Sequence, residues 1–493
     1  MVLGASTPTN PLATLPEPGH VPGFCTPEAR PFVLVSAILA SAIGFIDGTV
    51  VAIALPAMRD TLDASLPQAQ WINNGYLLPL SALILFGGAL GDRLGLARVF
   101  ATGICLFVLA SMVCAISPTA EILIAARVAQ GIGAALMVPG SLALIARAYP
   151  PEERGRAIGI WAASAAMTTA LGPIIGGLAL SFGGPEMWRV IFAVNLPLGG
   201  IAVWLIRTKV AQDPAQSGQR LDWPGVILTT LGLALIAVGL TDASQGSGTP
   251  NWSVTAIGAA IMITFLLWEG RCTHPMIPLA LFKNPTFAAA NGVTALIYFA
   301  LTTMLFFLPM TVIAGWGVSE LAASAAFAPL SIFITLMSGW VGKLVTRIGP
   351  GPLIGIGAAL VGLSFAGLAI TMPEQNFWYR VIPCTSLMGF GMALVVTPLS
   401  TAIMGAVSDE KSGTASGINN AVSRMAGLIA VASMGGLAGA SYLAAGGPDS
   451  FGALSDGAGH ASAMSSAFAQ LAWITAALTT VGSVCAFVFI RKA

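Results

Sequence analysis

The stretch "FIDGTVVAIALP", Phe45 to Pro56, closes an apolar run that begins at Pro31, and Asp47 is its one charged residue. The run is long enough for a bilayer, which takes about 20 apolar residues of helix to cross. On insertion scales an aspartate at mid-membrane costs about 2.5–3.5 kcal/mol. The stretch therefore reads as a membrane helix carrying an acid where acids are expensive. Either Asp47 titrates as part of a function, or it hydrogen-bonds a neighbouring helix and holds the fold.

The rest of the chain has the same character. Of its 493 residues 56% are hydrophobic and 8% charged, and the mean hydropathy is +0.86. Soluble domains carry about one quarter charged residues, so the solvent for this surface is lipid. A net charge of +1 speaks against a nucleic-acid partner, because phosphate binding needs a basic field. The cysteines (Cys25, Cys105, Cys114, Cys272, Cys384 and Cys485) lie at no metal-binding spacing and read as small core hydrophobes. The histidines, His20, His274 and His460, fall in tails or loops without a clustered nucleophile, so an enzyme is not expected. Residues 1–30 are rich in proline and read as a disordered tail, without the basic start and short apolar stretch of a signal peptide.

Apolar runs recur at 32–55, 71–90, 99–116, 122–145, 157–180 and 190–206. After the polar linker "RTKVAQDPAQSGQRLDWP" come two shorter runs, 226–240 and 254–267. Six more follow at 287–314, 321–341, 353–370, 377–407, 415–437 and 467–490. The expectation is an all-α integral membrane protein of 14 transmembrane helices. Its parts are a tail (1–30), a six-helix bundle (31–207), a linker with two inserted helices (208–286) and a second six-helix bundle (287–493). With the N-terminus inside, 16 of the 21 Lys+Arg fall in tails or cytoplasmic loops. The positive-inside rule then places both termini in the cytoplasm.

The two blocks of six resemble each other. "GALGDRLG" (Gly88 to Gly95) and "GKLVTRIG" (Gly342 to Gly349) both read G-x-L-x-x-R-x-G, each after the second span of its block. "GIGAALMVPGS" (Gly131 to Ser141) echoes "GFGMALVVTPLS" (Gly389 to Ser400). Duplicated bundles with a site between them are the architecture of alternating access. The two bundles are thus expected to be pseudo-symmetric.

"GALGDRLGLARVF" is expected in a tight cytoplasmic loop. Gly88, Gly91 and Gly95 allow close approach and a sharp turn, Asp92 can take a basic partner, and Arg93 can reach an acid across the bundle. Such a cluster would gate one face; equally, it would only fix topology. The stretch resembles the signature of the major facilitator superfamily, G-x-L-a-D-R-x-G-r-k, at Gly88, Leu90, Asp92, Arg93 and Gly95, and departs from it at Leu96 and Ala97. Span four, "ILIAARVAQGIGAALMVPGSLALIA", puts Arg127, Gln130, Gly131 and Ala134 on one helical face. Arg127 cannot shed its proton and needs an acceptor, unless it snorkels to the interface. The run is similar to the family's span-four motif, whose arginine the resemblance implicates in proton coupling.

Span five holds "ALGPIIGG", with Gly172, Pro173, Gly176 and Gly177, which permit bending and tight contact. It resembles the G-P-x-x-G-G motif of drug antiporters within the superfamily, which implies export. "IDGTVVAIALP" is similar to the span-one signature of the fourteen-span drug:proton antiporters, with Ala52 in place of an asparagine, and "WRVIFAVNLPLGG" (Trp188 to Gly200) resembles a further motif of that family.

Desolvation favours a neutral Asp47, whereas a nearby Arg127 favours its charged form. A proton on Asp47 would then decide which partner Arg127 or a substrate meets. In span thirteen Asn420 and Arg424 lie one turn apart, and Asn419 lies near Ser423, giving a polar stripe for a cavity or for helix contacts. Gln130, Asn73, Asn74, Tyr76 and Trp161 are further candidate cavity residues; Phe299, Phe306 and Phe307 face either cavity or core.

The expected function is proton-coupled efflux of small amphipathic or cationic drugs across the cytoplasmic membrane. No G-x-x-x-x-G-K-[ST] loop is present, so the expected energy source is the proton gradient, with no cofactor or metal. The expected partners are a small-molecule substrate, protons and the lipid bilayer, and the expected state is a monomer. The alternatives are a dedicated exporter of one metabolite or self-made antibiotic, and a membrane receptor or scaffold that does not transport.

Overall fold

Lipid offers no partner to backbone N–H and C=O groups, so a chain this apolar satisfies them within helices. The computed structural model describes residues 25–210, 221–245, 249–408, 411–455 and 457–490, and these hold helices and turns with no strand among them. The expected disordered tail lies outside the described residues except for 25–30, as does most of the polar linker.

Fourteen helical segments are long and apolar enough to cross a membrane. The first six are α1 (Arg30–Thr61), α2 (Leu66–Leu94), α3 (Leu96–Ala115), α4 (Ala120–Ala148), α5 (Pro151–Gly183) and a broken segment of α6 (Trp188–Ala193) and α7 (Asn195–Lys209). Next come α8 (Trp223–Thr241) and α9 (Trp252–Glu269). The last six begin with α10 (Pro285–Met310) and a segment made of α11 (Glu320–Ser324) and α12 (Ala328–Ile348). They end with α13 (Pro350–Thr371), α14 (Ile382–Gly405), α15 (Ser412–Ala444) and α16 (His460–Phe489). Capping side chains mark several starts: Ser65 and Gln68 form a capping box on α2, and Thr119, Asn251 and Asn284 accept backbone N–H groups at α4, α9 and α10.

One expectation is corrected. The tight loop at Gly88–Gly95 is helical through Leu94, and Gly95 alone, at φ +99°, turns the chain from α2 into α3. Away from water no solvent competes for the backbone, so Gly88 and Gly91 continue the helix instead of breaking it.

The internal repeat holds in three dimensions. A Cβ on Gly131 of α4 would collide with the Tyr76 carbonyl of α2, and one on Gly389 of α14 would collide with the Pro329 carbonyl of α12. Two residues on, Gly133 packs against Gly103 of α3, while Gly391 packs against Gly357 of α13. Each glycine pair thus makes the same helix contacts in its own half.

Between the halves, α2 packs along α15. Gln70 Nε2 donates to the Val431 carbonyl at 2.5 Å, and Leu85 meets Gly417 nearer the face that carries the chain ends. Leu233 and Ala237 of α8 join Ala82 of α2 and the α15 residues Leu428 and Ala432 in one apolar cluster. The inserted pair therefore lies outside the α2–α15 seam, its own helices interlocked at Gly232 and Gly258.

The two faces of the molecule differ. On the face opposite the chain ends, Gly177 of α5 packs on the Glu320–Leu321 backbone, and the Leu321 N–H donates to Ser181 Oγ at 3.1 Å. There too Arg59 of α1 donates to the Phe451 carbonyl (2.5 Å) and to Ser450 Oγ (2.9 Å), in the connection between α15 and α16. On the face with the chain ends α5 and α12 are left open while α2 and α15 stay packed. Ser338, Gly339 and Trp340 of α12 are exposed in succession, and added Cβ atoms on Gly155, Gly159, Gly339 and Gly342 would meet open space. Three consecutive exposed residues cover most of a helix circumference, so this end of α12 has lost packing on more than its outer side.

Candidate functional site

The depth of α1 places Asp47 among helices and away from both faces, and it is 1% exposed. Asp47 Oδ2 lies 2.5 Å from Arg127 Nη1 of α4. Asp47 Oδ1 accepts from Gln130 Nε2 at 2.9 Å, and Gln130 Oε1 accepts from the same Arg127 nitrogen at 2.6 Å. Arg127 and Gln130 sit three residues apart on one face of α4, which lets both reach a single carboxylate. Arg127 Nε donates to the Ile72 carbonyl of α2 at 3.0 Å, and its guanidinium lies 4.4 Å from the Tyr76 ring centroid and 5.7 Å from that of Phe192. The guanidinium is thus charge-paired, hydrogen-bonded and covered by aromatic faces, and nothing in the arrangement resembles snorkelling.

The network extends to residues that sequence reasoning missed. Ser111 Oγ of α3 accepts from Gln130 Nε2 at 2.8 Å and from Asn195 Nδ2 of α7 at 3.1 Å. Asn195 is the asparagine of "WRVIFAVNLPLGG", so a signal for it was present. Five helices, α1, α2, α3, α4 and α7, therefore meet at one buried acid, all within the first bundle.

Several candidate cavity residues are placed otherwise. Gln130, Asn74 and Tyr76 are buried, so none of the three forms an open wall; Gln130 serves the charged network and Tyr76 covers Arg127. Trp161 donates to Ser41 Oγ of α1 at 2.9 Å and packs within the first bundle. Phe306 and Phe307 are core residues, buried where α10 enters the main apolar cluster. Asn419 bonds across to α10, donating to Thr294 Oγ1 (2.7 Å) and Asn291 Oδ1 (3.3 Å) instead of lying against Ser423. Asn73, Asn420 and Arg424 remain partly open, and Arg424 Nε donates to Asn420 Oδ1 at 3.4 Å.

At the face with the chain ends Asp92 accepts from Arg147 at 2.7 Å, within the first bundle. Arg93 is exposed and, among the described residues, pairs with no acid across the bundle. Gly172 and Gly176 let α5 rest on Thr49 and Val50 of α1, with Pro173 buried between them, and Gly177 carries the contact to α11. A second pair of buried acids lies where α8 and α9 end near the chain-end face. Asp222 Oδ1 accepts from Trp268 Nε1 at 2.9 Å, and Glu269 Oε2 accepts from the Ile277 N–H at 2.8 Å. Glu269 was legible only as a residue flanking a span.

The family model described as Major Facilitator Superfamily matches residues 37–431, most of the chain. The chain belongs to the major facilitator superfamily. Among curated superfamily members it is similar to the methylenomycin A resistance protein of Streptomyces coelicolor, 32% identical over 81% of this chain and 84% of that one. It is also similar to the multidrug resistance protein Stp of Mycobacterium tuberculosis, 31% identical over 81% of this chain and 74% of that one. A solved POT family transporter shares the fold with a TM-score of 0.69 at 12% identity, over 94% of this chain and 98% of its own. The chain is thus a multi-pass membrane protein of a transporter superfamily, as the motif resemblances implied.

Proposed function

We propose that the protein exports small amphipathic molecules across the cytoplasmic membrane by alternating access, exchanging them for protons. The observation that carries this reading is the Asp47–Arg127 pair, a titratable acid buried at mid-depth and bonded to the helices around it. Two curated relatives named for antibiotic or multidrug resistance support a drug-like substrate and the outward direction.

The chain-end face is cytoplasmic in this reading, supported by the sequence, which puts 16 of 21 basic residues in tails or loops of one side. The conformation described is then open to the cytoplasm and sealed outside by Arg59, Gln70 and the Gly177 contact. With Asp47 ionised, the acid and Arg127 neutralise each other. When the outer face opens, a proton reaching Asp47 removes Arg127's counter-charge, and the guanidinium keeps only its Ile72 and Gln130 acceptors. The two protonation states therefore favour different arrangements of α1 and α4. Helix α1 also carries the Arg59 seal and the Thr49–Val50 surface under α5, so a shift at Asp47 is transmitted to the outer gate.

One elementary charge crossing the membrane supplies roughly 2.3 kcal/mol per 100 mV, and about 1.4 kcal/mol is a tenfold gradient. A single proton thus sustains more than a decade of substrate accumulation, and no cofactor enters the scheme. The protein acts as a monomer and performs no covalent chemistry.

Drug susceptibility in an efflux-deficient host, with and without an uncoupler, tests this function. The reading expects raised resistance that the uncoupler abolishes; resistance indifferent to the uncoupler removes proton coupling. A second reading, a dedicated exporter of one compound, is favoured by the relative named for a single antibiotic. It expects resistance to one compound in the panel where the first expects several.

A further inference from the structure

Arg424 is the one deeply placed arginine whose charge the described structure leaves unanswered. It lies twelve residues past Ser412 on the 33-residue helix α15, about 18 Å along the axis and so near the middle of a bilayer. Its Nε makes the 3.4 Å contact to Asn420, and Nη1 and Nη2 donate to no acceptor among the described residues. No carboxylate among the described residues is within ion-pair distance of it. The other two arginines buried in spans are fully engaged: Arg127 by Asp47, Gln130 and Ile72, and Arg59 by Ala64, Ser450 and Phe451.

Its position is between the halves. Its helix α15 packs along α2 of the first bundle and α10 of the second. The neighbouring residues Ala421 and Leu428 of α15 pack with clusters that reach α2. Arg424 is partly exposed. Amide groups stand on both helices: Asn420 Oδ1 accepts from Arg424 Nε, which leaves the Asn420 NH2 group as a donor. Asn420 lies one turn away on α15, and Asn73, one turn from Tyr76 on the same face of α2, makes only a 3.5 Å contact to Asn74.

The charges at this depth do not cancel. Asp47 and Arg127 neutralise each other within the first bundle, which leaves Arg424 as an excess positive charge between the halves. A mid-membrane ionisable residue without a partner is a functional site by default, and a guanidinium matches a planar carboxylate through two parallel N–H donors.

We propose that Arg424, with the amides of Asn420 and Asn73, receives a carboxylate on the exported molecule, so that the preferred substrates are amphipathic anions. The inference rests on the exporter reading and narrows it. Charge balance adds a consequence: a monoanion leaving as one proton enters moves two elementary charges, so the membrane potential drives its export twice as strongly as that of a neutral analogue.

The test uses three probes on one scaffold, naphthylacetate, naphthylacetamide and naphthylethylamine. Thermal protection of the purified protein is measured for wild type, Arg424→Gln and Arg424→Lys. Wild type is expected to be protected in the order carboxylate, amide, amine. Arg424→Gln is expected to level that order and to raise the melting temperature of the empty protein, because an unpaired charge is removed; Arg424→Lys is expected to retain part of the preference. Preference for the amine, carboxylate protection that survives Arg424→Gln, no protection by the carboxylate, or a lowered melting temperature of empty Arg424→Gln overturns the proposal. Uptake of the same probes into everted vesicles under an imposed proton gradient separates the two failures. Proton-driven movement of the amine or amide without carboxylate preference defeats this inference and leaves the exporter standing. Movement of no probe, of any charge, defeats the exporter reading.

Discussion

Asp47 of α1 and Arg127 of α4 form an ion pair at 2.5 Å with both residues 1% exposed, and Gln130 bonds both members of it. Coulomb attraction at this separation is strong only because water is absent, and the same absence makes either charge alone expensive. The pair is therefore stable as a unit and unstable when halved, the property on which the proposed exchange depends.

Removing one partner tests that asymmetry. Arg127→Gln leaves Asp47 without a counter-charge and is expected to destabilise the protein by about 3–5 kcal/mol. The double variant Asp47→Asn with Arg127→Gln, which strands no charge, is expected to recover much of the loss. Melting of Arg127→Gln, Asp47→Asn and the double variant in detergent measures the coupling, and additive effects would remove the pair as an energetic unit.

The repeated glycines make a second prediction. Alanine at Gly133 or Gly391 would drive a Cβ into a facing backbone, at a cost of about 1–3 kcal/mol in each case. Alanine at Gly155 or Gly342 meets open space and is expected to leave stability equal or raised by up to about 1 kcal/mol, since alanine is the better helix former. Melting temperatures of the four variants decide it, and comparable losses at all four would contradict the packing described.

How much of this was legible follows from how rare each residue type is in an apolar segment. Asp47 and Arg127 stood out because charges hardly occur in such runs, and their pairing followed from the need of each for a partner. Ser111 did not stand out, since serines are common in membrane helices and only the approach of α3 to α4 gives this one a role. Asn420 and Arg424 were legible as a stripe from their spacing, whereas Asn419 turned toward α10 because Thr294 and Asn291 offer acceptors there. The order of spans, six, two and six, was readable from hydropathy alone. Where Gly88 and Gly91 sit was not: glycine punctuates structure in water, whereas here Pro139 lies against Gly88 and Leu96 against Gly91 along a continuous helix.

The outer seal gives a third prediction. Ser181 Oγ lies 3.3 Å from Glu320 Oε2, joining α5 to α11 on the face opposite the chain ends. Cysteines at these two positions are expected to cross-link on mild oxidation and to hold the protein open to the cytoplasm. Export by the oxidised double variant should fall to background and return on reduction, with the wild-type protein unaffected by the same treatment. Full export after verified cross-linking would mean that this face does not open during transport.

The central claim is that Asp47 carries the proton that drives export. Its most direct test is accumulation of a susceptibility-panel substrate in liposomes holding purified protein under an imposed pH gradient. Wild type should accumulate substrate against its gradient. Asp47→Asn should still exchange substrate down its own gradient but accumulate none. If Asp47→Asn accumulates substrate to the wild-type level, the proton is carried elsewhere and the account is wrong.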